Sequence, residues 1–126
     1  MKLICIYLFV GISSLSPASN CAQSQQCSTV SIISEGSGTY QGHFSAIAAS
    51  AFNGLTVEFT FDNNVDWLEF SAGSVEMVDS THFRLISPGW EAQPGWGIEF
   101  DFSPHFSGGK ALVVGAIMNG ADACGM

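Results

Sequence analysis

The chain has 126 residues, with eleven Asp and Glu against three Lys and Arg and a formal net charge of −8. So few cations cannot neutralise a run of phosphates, which excludes nucleic acid as a partner and disfavours anionic lipid and acidic polysaccharides. Neutral polymers stay open, and the length fits one domain.

Met1 and Lys2 give a positive start, residues 3–12 are an apolar run, and Ser13, Ser14, Ser16 and Ala18 follow. This is the pattern of a secretory signal peptide over residues 1–22, with cleavage after Ala18 or Ala22. The run is too short to span a bilayer, and no later stretch is longer. A secreted, extracellular protein with no membrane association is expected. Cutting after Ala22 leaves Cys27 and Cys124 as one pair, whereas cutting after Ala18 also retains Cys21 and an odd thiol. Residues 23–26, mostly Gln, read as a short tail, and residues 27–126 as the domain. Cys27 and Cys124 bracket it, and a disulfide between them would close a loop of roughly 100 residues, worth up to about 4.7 kcal/mol by chain entropy.

From Thr29 onward the hydrophobic period is two. Phe44, Ala46 and Ala48 are a weak case. Leu55, Val57, Phe59 and Phe61 alternate with Thr56, Glu58, Thr60 and Asp62. Phe83 and Leu85 alternate with His82 and Arg84, and Trp96, Ile98, Phe100 and Phe102 with Gly97, Glu99 and Asp101. Trp96 is therefore expected in the core. Strands are predicted over 54–61, 96–102 and 110–118. Turn residues separate the runs at Asn53-Gly54, Asp62-Asn63-Asn64, Ala72-Gly73, Asp79-Ser80, Pro88-Gly89, Pro94-Gly95 and Ser107-Gly108-Gly109. The expected fold is all-β, an antiparallel two-sheet β-sandwich of immunoglobulin-like or jelly-roll-like type, with its ends tied by Cys27–Cys124. Trp90, set between two Pro-Gly pairs, is read as an exposed ring on a turn, suited to stacking on a sugar.

Several features follow in a recognisable order. The domain opens at Cys27 and closes with Met118-Asn119-Gly120-Ala121-Asp122-Ala123-Cys124. Tyr40-Gln41-Gly42-His43-Phe44 puts an aromatic four residues before a strand-starting Phe. Asn53-Gly54-Leu55 runs into Phe59-Thr60-Phe61. Trp90 lies twelve positions before Phe102, in Phe100-Asp101-Phe102, and Met118 sixteen beyond it. Across Cys27 to Cys124 this resembles the bacterial-type family two carbohydrate-binding module, the cellulose-binding domain attached to many secreted glycanases. The chain departs from that pattern in a tail spacer of three residues where two are usual, in Leu55 where a core Trp is usual, and in Tyr40 in place of Trp. The resemblance implies non-catalytic binding of cellulose or a related β-1,4-glucan through a planar aromatic strip of Tyr40, Phe70 or Trp67, and Trp90. Trp67 and Phe70 have opposite strand parity, so at most one faces the ligand. The alternative is a secreted interaction protein that has lost sugar binding and docks on a protein partner through the same strip. A monomer is expected, with a cell-wall enzyme or protein as a possible partner in trans.

Catalysis is not expected. Glu35, Asp66, Glu69 and Glu91 are loop carboxylates with nothing to raise one above another. His43, His82 and His105 have no metal-ligand spacing, so no metal or cofactor is called for. Gln41, Asn63, Asn64 and Gln93 are candidate partners for sugar hydroxyls, although ordinary turn chemistry explains them better.

Overall fold

The computed structural model describes residues 26–124. The signal segment, both cleavage points and most of the 23–26 tail lie outside the described residues. Nine strands run in chain order: β1 (Val30–Gly36), β2 (Thr39–Ile47), β3 (Phe52–Phe61), β4 (Trp67–Glu69), β5 (Ser74–Asp79), β6 (His82–Ala92), β7 (Gly97–His105), β8 (Val113–Met118) and β9 (Ala121–Asp122). They form a four-stranded sheet in the order β1-β2-β7-β4 and a five-stranded sheet in the order β5-β6-β3-β8-β9. Every pairing is antiparallel. The expected two-sheet all-β architecture is present, and Cys27–Cys124 ties its ends across 97 positions. Among the described residues no helix is long and apolar enough to cross a membrane.

The core is an aromatic seam between the sheets. Leu55, Val57, Phe59 and Phe61 of β3 all point inward, as their alternation predicts. Phe59 meets Phe102 of the other sheet at 4.8 Å between ring centres and Phe44 at 5.8 Å, while Phe44 stacks on Phe100 at 4.9 Å. Gly42 lies opposite Phe102 across β2 and β7. A Cβ on Gly42 would sit 2.6 Å from the Phe102 ring, so the glycine gives that ring its seat.

Two expectations about turns are corrected. Pro88-Gly89 is not a turn but lies inside β6. The register jumps from Asn53↔Glu91 to Leu55↔Ser87, so Pro88, Gly89 and Trp90 together oppose Gly54 in a bulge. A bulge accommodates proline because its missing N–H costs no ladder bond there. Asn53-Gly54 likewise lies within β3. Pro94-Gly95 is a true turn: Trp96 N donates to Gln93 O at 3.0 Å and Gly95 has φ 91°, the left-handed value that the third position of a type II turn requires. This turn also corrects the placement of Trp96. β7 begins at Gly97, so Trp96 belongs to the turn, escapes the strand alternation and is 54% exposed.

Candidate functional site

Among the described residues, the four-stranded sheet carries a continuous polar outer face. On β2 and β7 the residues facing out alternate with the buried aromatics: Thr39, Gln41, His43 and Ser45 on one strand, Glu99, Asp101, Ser103 and His105 on the other. The three-residue edge strand β4 turns Trp67 and Glu69 outward and Leu68 inward. Trp67 is paired with His105 and Glu69 with Ser103. Two open depressions, about 500 and 300 Å³, share Gln41, Glu69 and Ser103 and adjoin each other as a hollow across the sheet. Asp101 and Phe70 line one end, Glu35 and His105 the other.

At the rim Trp67 is 52% exposed. Its indole lies flat on the His105 imidazole, with ring centres 3.8 Å apart and planes 2° apart. Glu69 Oε1 is 3.0 Å from His105 Nε2 and holds the imidazole at its edge. One face of the indole is thus backed by a ring that is itself hydrogen-bonded, while about half of Trp67 remains exposed.

Toward the middle of the sheet His43 stands between two carboxylates of β7. Its Nδ1 is 2.7 Å from Asp101 Oδ1 and its Nε2 is 3.3 Å from Glu99 Oε1. Gln41 Nε2 donates to the second oxygen of Asp101 at 3.0 Å. The hydrogen bond to Asp101, reinforced by the nearby negative charges, raises the His43 pKa, and the same bond lowers that of Asp101. Lys110 Nζ donates to Glu35 Oε1 at 2.8 Å, at the end of the hollow that Glu35 and His105 line. Among the described residues no group of three or more His, Cys, Asp or Glu is placed to hold a metal ion.

No protein-family model matches the chain, and no curated protein matches it either.

The planar strip of Tyr40, Phe70 and Trp90 is not present: two of its rings are buried and the third is half-buried. Tyr40 shares the parity of Phe44 on β2, is 2% exposed, and its hydroxyl donates to the Ala111 carbonyl at 2.7 Å. Burial pushes its phenol pKa up, with Asp62 and Glu35 adding to the shift. Phe70 is 7% exposed and stands edge-on to Phe100 at 5.0 Å, leaving it only as the floor of the hollow. Trp90 sits in the β6 bulge, half-buried, edge-on to Phe100 at 6.3 Å. Of the four candidates only Trp67 is an open ring. Trp96, the other exposed tryptophan, precedes the opposite end of β7 from the His105 partner of Trp67. Nine positions at about 3.3 Å each separate them by roughly 30 Å.

The residues that surround Trp67 were not distinguishable in the sequence. Glu69 looked like any loop acid, and His105 had no visible partner. The usable signal was parity: Trp67, Glu69, Ser103 and His105 all fall opposite the buried Leu68, Phe102 and Pro104.

The outer face of the five-stranded sheet differs. Arg84 lies between Glu76 (2.6 Å) and Glu58 (3.5 Å), with Ile117 beside Glu58 on β8. This is a charge-paired surface without an open indole.

Proposed function

We propose that this chain is a secreted, non-catalytic glycan-binding module whose site is the outer face of the four-stranded sheet. The carrying observation is the Trp67–His105–Glu69 stack, which presents one rigid, solvent-facing indole beside a polar hollow. The axial C–H face of a β-linked sugar ring is apolar and its hydroxyls point sideways. The indole suits the first, and Gln41, Asp101, Glu69 and Ser103 suit the second.

The ligand of this arrangement is a single β-1,4-linked glucan chain and not a crystalline surface. A crystal face needs several coplanar rings, and only one is open here. Covering about 80 Å² of indole contributes about 2 kcal/mol. Two hydrogen bonds at about 1 kcal/mol each bring the gross contact energy to about 4 kcal/mol before the cost of association is subtracted, so binding at this one ring is no tighter than a Kd on the order of 1 mM. The resemblance to family two carbohydrate-binding modules supports glycan binding as the class of activity, with the site moved from the expected strip to Trp67.

Affinity electrophoresis through gels containing soluble β-1,4-glucan tests the proposal. The wild type is retarded and Trp67→Ala is not. Unchanged migration of the wild type in soluble glucan, xylan and a soluble chitin derivative would overturn it.

A second reading, docking on a protein partner, has one observation in its favour. Ile47 (53% exposed) pairs with Gly97 next to Trp96, which puts two large exposed apolar side chains together at the other end of the sandwich. A partner captured by the wild type and lost with Trp96→Ser, but kept with Trp67→Ala, would favour that reading.

A further inference from the structure

We propose that His43 makes ligand binding on this face pH-dependent, acting as a protonation-controlled latch on Asp101 and Gln41. The proposal deepens the glycan-binding reading and rests on it.

His43 lies on β2, directly opposite Asp101 of β7. Each of its ring nitrogens faces a carboxylate oxygen, Asp101 at 2.7 Å and Glu99 at 3.3 Å. A neutral imidazole has one N–H and one lone pair, so it can satisfy only one of these acceptors. The imidazolium, with two N–H donors, satisfies both. Loss of the proton therefore turns a lone pair toward one carboxylate and removes the counter-charge that Glu99 and Asp101 share. These two acids are two positions apart on the same face of β7, so their mutual repulsion is then unopposed.

The consequence reaches the ligand side through Asp101. Its second oxygen is the one that accepts from Gln41 Nε2, and both side chains line the hollow. With His43 protonated, Asp101 is held by two donors from β2 and Gln41 is fixed in turn. With His43 neutral, its one remaining N–H can hold Asp101 only as an uncharged donor while Glu99 loses its partner, so the hold on Asp101 and Gln41 weakens and the hydroxyl partners lose part of their preorganisation.

The groups facing His43 are few. From β7 they are Asp101 and Glu99. From β1, Ser31 lies opposite and brings no charge. Glu35 of the same strand is engaged by Lys110. On β2 itself the neighbours on this face are Gln41 and Ser45. The raised His43 pKa places the transition above the ordinary histidine value of about 6.5. Asp101 and Glu99 are half-exposed or more, so screening limits the effect to several-fold in affinity.

The test is calorimetric titration of cellohexaose into wild type and His43→Gln from pH 5 to 9, with NMR titration of His43, His105 and the Gln41 side-chain amide. The wild type should lose affinity several-fold as pH rises through the His43 midpoint. His43→Gln should be flat across the range, at the wild type's high-pH level. Without ligand, the Gln41 amide signals should move with the His43 midpoint. Binding with a flat profile, a profile that follows His105 and survives in His43→Gln, or Gln41 signals that ignore His43 would each overturn the latch alone. Absence of binding at every pH would overturn the glycan reading, and the latch with it.

Discussion

Replacing Tyr40 separates a buried ring from a ligand-facing one. Its hydroxyl is 2.7 Å from the Ala111 carbonyl, and both residues are buried. Tyr40→Phe removes the donor and leaves that carbonyl without this partner in a site closed to water. The expected cost is about 1–3 kcal/mol. Tyr40→Ala also removes the ring that packs edge-on against Phe102 at 6.5 Å, and should cost about 3–5 kcal/mol. For a domain of this size about 1 kcal/mol corresponds to roughly 4–8 °C in Tm, so even the conservative variant gives a clear shift. Urea and thermal denaturation followed by far-UV circular dichroism measure both. An exposed platform tyrosine predicts changes within about 0.5 kcal/mol for either variant, and that result would refute the placement of Tyr40 in the core.

Other expectations follow from the same packing. Gly42→Ala should destabilise by about 1–3 kcal/mol, because the added methyl meets the Phe102 ring at 2.6 Å; equilibrium denaturation measures this. Reducing Cys27–Cys124, or replacing both with Ser, should lower stability by about 2–5 kcal/mol, read as a drop in urea midpoint at unchanged far-UV signal. Tyr40 is the only tyrosine among the described residues, and its folded pKa lies above the ordinary phenol value of about 10. Its contribution is then complete below about pH 10 and is lost as pH rises toward the folded value. Tyrosinate absorbance should therefore appear together with unfolding, and Tyr40→Phe should remove this part of the alkaline sensitivity.

The architecture was legible because strand period is a strong signal where both partners are large. Leu55, Val57, Phe59 and Phe61 identify one inner face without ambiguity, and so do Ile98, Phe100 and Phe102. The same period, carried four residues back from Phe44, puts Tyr40 on the inner face where the structure has it; the reading of Tyr40 as a platform ring followed the resemblance and not this parity. Trp96 misled in the opposite sense, since its parity matches Ile98 but Pro94-Gly95 holds it in a turn. Pro88-Gly89 looked like a chain reversal and is a bulge, because Pro-Gly fits either and only the partner strand decides. The polar hollow was the least visible feature. Gln41, Glu69, Asp101 and His105 come from three strands, and only the order β2-β7-β4 brings them together.

The most direct measurement is a ¹⁵N–¹H spectrum of the three indole N–H signals during titration with a soluble β-1,4-gluco-oligosaccharide. The signal of Trp67 should shift in a saturable way, while those of Trp90, edge-on to Phe100, and Trp96, roughly 30 Å away along β7, stay in place. A Trp67 signal that does not move, or a shift confined to Trp96, would contradict the placement of the ligand site on the four-stranded sheet.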